Sequence, residues 1–247
     1  MRRDRIYTPQ PLAPGARVEL EAGPSRHVAQ VLRLAAGDQL LLFNGDGHDY
    51  DARLVAADGR GAVAEIAQAG PPEPAPTLAV TLAIGISKGE RMDLVLQKAV
   101  ELGATALVPL FTERSVVKLA EERRDKRLRH WQGIVIAACE QSGRRRLPSL
   151  AAPQRLAPWL EAPGAPEHTG LLLHHAAEQA LPALPAPPTA RVTLLVGPEG
   201  GLAPPERELA LQHGFVAVRL GPRVMRTETA PLAALAALQT LWGDFRN

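Results

Sequence analysis

The chain has 247 residues, a formal net charge of +2 and 46% hydrophobic residues, which excludes a disordered chain and leaves ample apolar material for one or two domains. It contains no run of about eighteen apolar residues, and the basic N-terminus MRRDRIYTPQPLAPG has no apolar stretch after it, so neither a transmembrane helix nor a signal peptide is expected. Cys139 is the only cysteine, which excludes a disulfide scaffold and any Cys-based zinc site and fits a cytoplasmic protein.

Residues 1–70 read as β-rich. Gln39–Phe43 and Asp51–Val55 flank Asn44-Gly-Asp-Gly47, a hairpin-type turn signal, and Gly61–Ile66 follows as another strand. A helix is predicted over Pro24–Leu34, with Val28, Val31 and Leu32 on one side. A small barrel would hide the edges of so few strands. Gly70-Pro-Pro-Glu-Pro-Ala-Pro76 then interrupts the pattern, because four prolines in seven residues continue neither sheet nor helix. The domain boundary is placed there.

The second part opens with Thr77–Gly85, a near-continuous apolar strand of the kind buried on both faces. Ser87-Lys-Gly-Glu90 reads as a capping box for a helix carrying Met92, Val95, Leu96, Ala99 and Leu102, which Gly103 ends. Ala106–Phe111 is the next strand. A long helix from about Arg123 to Ser142 carries Leu128, Trp131, Val135 and Ala138 at helical spacing and stops at Gly143. A Pro/Ala-rich stretch over 148–168, a strand over Gly170–His174 and a proline-rich loop over Leu181–Ala190 follow. Val192–Val196 and Phe215–Leu220 are two further strands, each ending in a glycine loop that runs into a helical pattern. Strands alternating with helices predict an α/β fold with a parallel sheet.

Charge is distributed unevenly. Residues 113–148 hold ten Lys/Arg against five acids, which is a patch able to draw in a polyanion or equally a solvated helix face laced with ion pairs. No Walker loop and no GxGxxG fingerprint is present. His174 and His175 are adjacent, which on a strand points them apart and argues against a metal pair. Gly85-Ile-Ser-Lys-Gly89 matches the GxSxG nucleophile elbow, so a serine hydrolase using Ser87 is one alternative. It lies on the first strand of its domain, with no earlier strands to carry an oxyanion loop.

Gly197-Pro-Glu-Gly-Gly201 and Gly221-Pro-Arg223 sit where open α/β sheets bind ligands, at the carboxyl ends of strands. Glycines there allow close backbone approach to a ligand, and Arg223, Arg226, Thr227, Glu228 and Thr229 add polar groups just before a helix start. Such a backbone-lined pocket suits a flat, adenine-bearing molecule.

At these residues the chain resembles the RsmE family of bacterial 16S rRNA uridine-N3 methyltransferases, within the SPOUT class. The matching pieces are LLVGPEGGL (Leu194–Leu202) and LGPRVMRTETA (Leu220–Ala230), with KGERMDLVLQKAVELG (Lys88–Gly103), PLFTERSVVK (Pro109–Lys118), AACEQSGR (Ala137–Arg144), RIYTP (Arg5–Pro9) and HVAQVLRL (His27–Leu34) upstream in the same order.

The resemblance implies an N-terminal PUA-like β-barrel domain over 1–72 that binds RNA. It implies a C-terminal SPOUT α/β domain over 73–247 with a deep trefoil knot; the residues alone predict an unknotted sheet. It implies S-adenosylmethionine as cofactor, no metal, a homodimer, and 16S rRNA of the small ribosomal subunit as partner, modified on a uridine near the decoding centre. Carried over by position, cofactor contacts are expected from Leu173, His174, Gly197, Pro198, Glu199, Gly200, Gly201, Leu220, Gly221, Arg223, Val224, Met225 and Thr227. Arg226 and Glu228 are the expected catalytic residues. Arg2, Arg3, Arg5, His27, Arg33, Lys88, Arg91, Arg114, Lys118 and Arg144 are candidate RNA contacts, together with Arg145 and Arg146. A non-catalytic RNA-binding module would bind RNA but no cofactor.

Overall fold

A computed structural model of the chain describes residues 3–58, 61–115, 121–162 and 169–246. Arg2 and Lys118, two of the expected RNA contacts, lie outside these residues. The chain separates into two compact units, Met1–Ala75 with Cys139–Leu147, and Pro76–Ala138 with Pro148–Asn247. No helix among the described residues is long and apolar enough to cross a membrane.

The first unit is built on a five-stranded sheet in the order Arg5–Tyr7, Gln39–Phe43, Tyr50–Asp58, Gly61–Ala69, Arg17–Glu19. The first pair is parallel and the others antiparallel. Leu40 and Leu42, then Ala52 and Leu54, then Ala62, Ala64 and Ile66 face inwards at every second position and share a core with Ile6, Val18, Leu20 and Val28. The outermost strands have three residues each, too few to show a period of two in the sequence.

The helix predicted over Pro24–Leu34 is instead an α-turn over Ala22–Arg26 that widens into a π-turn over His27–Val31. The Leu32 N–H bonds the His27 carbonyl at 3.0 Å, five residues back. The wider turn keeps Val28 in the core but rotates Val31 outwards, where it is 66% exposed. The expected apolar face is split for that reason. The proline segment is tied down by Glu73, whose carboxylate accepts the backbone N–H groups of Arg145 and Arg146.

In the second unit the sheet path runs Gln179–Ala180, Val216–Arg219, Thr169–Leu173, Arg191–Val196, Ala79–Gly85, Ala104–Phe111, Ser149–Leu150, with Gln154–Arg155 also paired to 104–111. Every pairing is parallel. Leu156 and Leu160 of helix Leu156–Glu161, Ala210 of helix Pro204–Gln212, and Phe215 pack with Leu172, Leu195, Ala83, Val108 and Leu110. Helix Glu90–Glu101 buries Met92, Val95, Leu96 and Ala99, and it contacts helix Thr229–Trp242, which buries Ala234, Leu235 and Leu238. Asp93 joins the former to the long helix Glu121–Ser142 by accepting from Trp131 Nε1 at 3.2 Å and pairing with His130 Nε2 at 2.7 Å.

One local expectation is corrected. Ser87 does not cap the helix that follows: Gly89, at φ +62°, is the N-cap and there is no side-chain cap bond. The strands that carry the two glycine loops are not paired with each other, since strand Thr169–Leu173 lies between them. A crossover that skips a strand leaves no trace in local patterning.

Candidate active site

All strands of the second unit are parallel, so Leu173, Val196 and Arg219 reach the same edge of the sheet. A cavity of about 240 Å³ opens there. Its floor and walls are Leu172–His175, Val196–Leu202, Arg207, Leu220, Arg223–Met225, Thr227 and Ala230. Of the residues expected to hold a cofactor, all but Gly221 line it; Gly221 forms the exposed turn behind Leu220. The turn after strand Arg191–Val196 is possible only with backbone. A Cβ on Gly197 would sit 2.7 Å from the Gly201 carbonyl carbon and from Leu202 N. A Cβ on Gly85 would sit 2.6 Å from Pro198 N, so the bare end of strand Ala79–Gly85 lets the loop close over it.

Glu199 fastens this loop to helix Glu90–Glu101. Its Oε1 accepts the Lys88 N–H at 3.0 Å and Arg91 Nη1 at 3.3 Å. Burial pushes the Glu199 pKa up, but hydrogen bonds from the Lys88 and Glu199 N–H groups and from Arg91 outweigh it, and the net shift is downwards. Arg91 also stands 3.9 Å from Glu228 through Nε. Arg114 Nη1 donates to the Gly200 carbonyl at 2.9 Å.

Thr227 ties the second loop to the first. Its hydroxyl lies 3.4 Å from the Gly197 carbonyl and 3.3 Å from Ser87 Oγ. Ser87 is only 3% exposed and its partner is a hydroxyl, with no histidine in hydrogen-bond reach among the described residues. The arrangement a serine nucleophile requires is therefore missing. Arg226 and Glu228 flank Thr227 at the entrance to helix Thr229–Trp242, where the Arg226 carbonyl accepts the Thr229 and Ala230 N–H groups. The Arg226 side chain is exposed, and no ion pair engages it among the described residues.

Sequence reasoning missed Leu172, His175, Val196, Leu202, Arg207 and Ala230 as lining residues. The strand ends at Leu173, so His174 and His175 are not held to opposite faces, and their rings lie 5.0 Å apart. Burial, then Arg207 and His175, lower the His174 pKa from its ordinary value and favour the neutral ring. No group of three or more metal-ligating side chains occurs among the described residues. Both lowered pKa values have the same sign. Each contributes stability above the group's ordinary pKa, and that contribution is lost as pH falls through the folded value.

The candidate RNA contacts divide. His27, Arg33, Lys88, Arg91 and Arg114 are exposed and Arg144 is half-buried. Arg3 pairs with Asp51 at 2.6 Å. Arg5 is only 6% exposed: it stacks 4.5 Å over the Phe43 ring, pairs with Asp49 at 2.7 Å, and donates to the carbonyls of Cys139 at 2.6 Å and Arg144 at 3.0 Å. It serves the Cys139 carbonyl in the last turn of the long helix and the Arg144 carbonyl just beyond its end, so its donors are engaged within the protein and not held out to RNA.

Residues 73–239 match the model of the RNA methyltransferase domain family, and residues 25–67 that of the RNA methyltransferase PUA domain. Proteins named ribosomal RNA small subunit methyltransferase E are similar throughout. That of Buchnera aphidicola is 32% identical over 97% of both chains, and that of Mycobacterium bovis 37% identical over 92% of this chain and 87% of its own. The Neisseria gonorrhoeae structure bearing the same name, bound to S-adenosyl methionine, is 41% identical with a TM-score of 0.91 over 99% of this chain and all of that one. A Legionella pneumophila structure holding SAM is 41% identical with a TM-score of 0.93 over the same shares. With both of its units matched in order and over nearly their full length, the chain belongs to the ribosomal RNA small subunit methyltransferase E family.

Proposed function

We propose that the protein, as a cytoplasmic homodimer, transfers the methyl group of S-adenosylmethionine to N3 of a uridine near the decoding centre of 16S rRNA in the small ribosomal subunit. The observation that carries this reading is the cavity at the strand ends, which Thr227 lines; its chain neighbours Arg226 and Glu228 are not among the lining residues but stand directly on either side of it in sequence. Leu172, Leu173, Val196, Leu202, Leu220 and Met225 give it apolar walls suited to a flat purine, and the glycine backbone allows close approach, so the residues fit the cofactor.

Within this reading, residues 1–72 are a PUA-like barrel that binds RNA and 73–247 a SPOUT domain with a trefoil knot. Support for the knot comes from the sheet order. Strand Val216–Arg219 lies between Thr169–Leu173 and Gln179–Ala180, which residues 174–178 alone connect, and a further helix follows it. Support for the dimer comes from helix Thr229–Trp242, where Leu232, Ala233, Ala236, Leu241 and Trp242 stay half-buried on a helix with scarcely a polar residue.

The cofactor supplies a methyl group on a sulfonium, open to in-line displacement. The chain's own task is alignment and charge control. Arg226 stands beside the base carbonyls and stabilises the uracil anion left when N3 loses its proton. Glu228 takes that proton or orients Arg226, and Arg91 keeps its carboxylate at the site. N3 lies on the pairing edge, so the base is presented unpaired or flipped out. Mass mapping of 16S rRNA nucleosides from strains with and without the gene tests the assignment. The N3-methyluridine mark should disappear with the gene and return on complementation; an unchanged map overturns it.

A further inference from the structure

Given the cofactor reading above, we propose that Arg207 binds the carboxylate of the cofactor's amino-acid tail. Arg207 stands in the first turns of helix Pro204–Gln212 and lines the cavity. Its Nη1 donates to the Leu202 carbonyl at 2.8 Å, the one hydrogen bond to its guanidinium among the described residues. The anchored arm fixes the direction of the fork and leaves the other N–H donors for a ligand.

The charges around the cavity are unbalanced. Its lining acid, Glu199, is already engaged by the Lys88 N–H and by Arg91. Of its two arginines, Arg223 is exposed and Arg207 is half-buried against the wall. Arg207 acts on the cavity as a charge, because after burial it is the largest influence keeping His174 neutral. A ligand that completes this site brings one anionic group. In S-adenosylmethionine the sulfonium and the ammonium are cationic and the nucleoside is neutral, so that group is the carboxylate. A guanidinium fork matches a carboxylate in two parallel hydrogen bonds, which an ammonium cannot reproduce.

Calorimetry on the full chain separates this role from a purely structural one. The probes are S-adenosylhomocysteine, which carries the amino-acid tail, and 5′-methylthioadenosine, which lacks it. Arg207→Met should weaken S-adenosylhomocysteine roughly ten- to a hundredfold and leave methylthioadenosine unchanged. Arg207→Lys, which keeps the charge and alkyl packing, should weaken S-adenosylhomocysteine by less and again leave methylthioadenosine alone; it serves if Arg207→Met fails to fold. Equal loss for both ligands, or no loss for S-adenosylhomocysteine, overturns the proposal while the cofactor reading stands. Wild-type protein that binds neither ligand overturns both.

Discussion

Arg5 and Arg226 are both arginines beside family-like motifs, and the fold uses them in opposite ways. Arg5 spends its donors on Asp49 and on the carbonyls of Cys139 and Arg144. A buried, fully engaged guanidinium is a structural element, and removing one partner of such a set costs several kcal/mol, on the order of 3–5. Arg226 holds the helix entrance through its backbone carbonyl and leaves its side chain exposed, next in sequence to the cavity-lining Thr227. Its side chain therefore contributes little to folding and little to the cavity itself. Arg226→Ala should lower single-turnover methylation about a hundred- to a thousandfold, the loss typical of a removed charge-stabilising donor. Cofactor affinity and melting temperature should stay near wild type. Normal single-turnover methylation by the variant removes Arg226 from the mechanism.

At the scale of elements, the site depends on one strand end being bare. Gly85 resembles part of a serine elbow in sequence, yet its role is steric: Pro198 rests where a Cβ would be. Gly85→Ala should force the Gly197–Gly201 loop away from its strand, costing about 1–3 kcal/mol of stability by overpacking and weakening cofactor binding at the same time. Thermal denaturation with and without S-adenosylmethionine checks this, and a variant with unchanged stability and affinity removes the contact from the account. The central strands, the long helices and both glycine loops were legible because period and turn chemistry are local signals. The strand inserted between those that carry the two loops was lost because it is a non-local feature, while the π-turn that expels Val31 and the Arg207–Leu202 bond span only five residues but are marked by no residue pattern. The capping box at Ser87 failed for a related reason, because Thr227, far along the chain, competes for its hydroxyl.

For the whole molecule, a net charge of +2 is too small to hold a polyanion by itself. Under the proposed function, affinity for RNA comes from local exposed cations, and both units carry them: Arg33 in the first, Lys88 and Arg114 in the second. Each phosphate neutralised releases counterions, so affinity for small ribosomal subunits should fall steeply with salt. On logarithmic axes the slope should be about 0.7–0.9 for every phosphate contacted. Arg33→Ala should reduce that slope by about one and weaken binding without regard to sequence. Arg17 provides the control: it is exposed but paired with Glu65 at 3.3 Å, so Arg17→Ala should leave the slope unchanged. Equilibrium binding over a salt series measures both. A flat response in the wild type counts against an RNA surface on either unit. A steep response that Arg33→Ala leaves intact moves the contact to the cations around the cavity mouth.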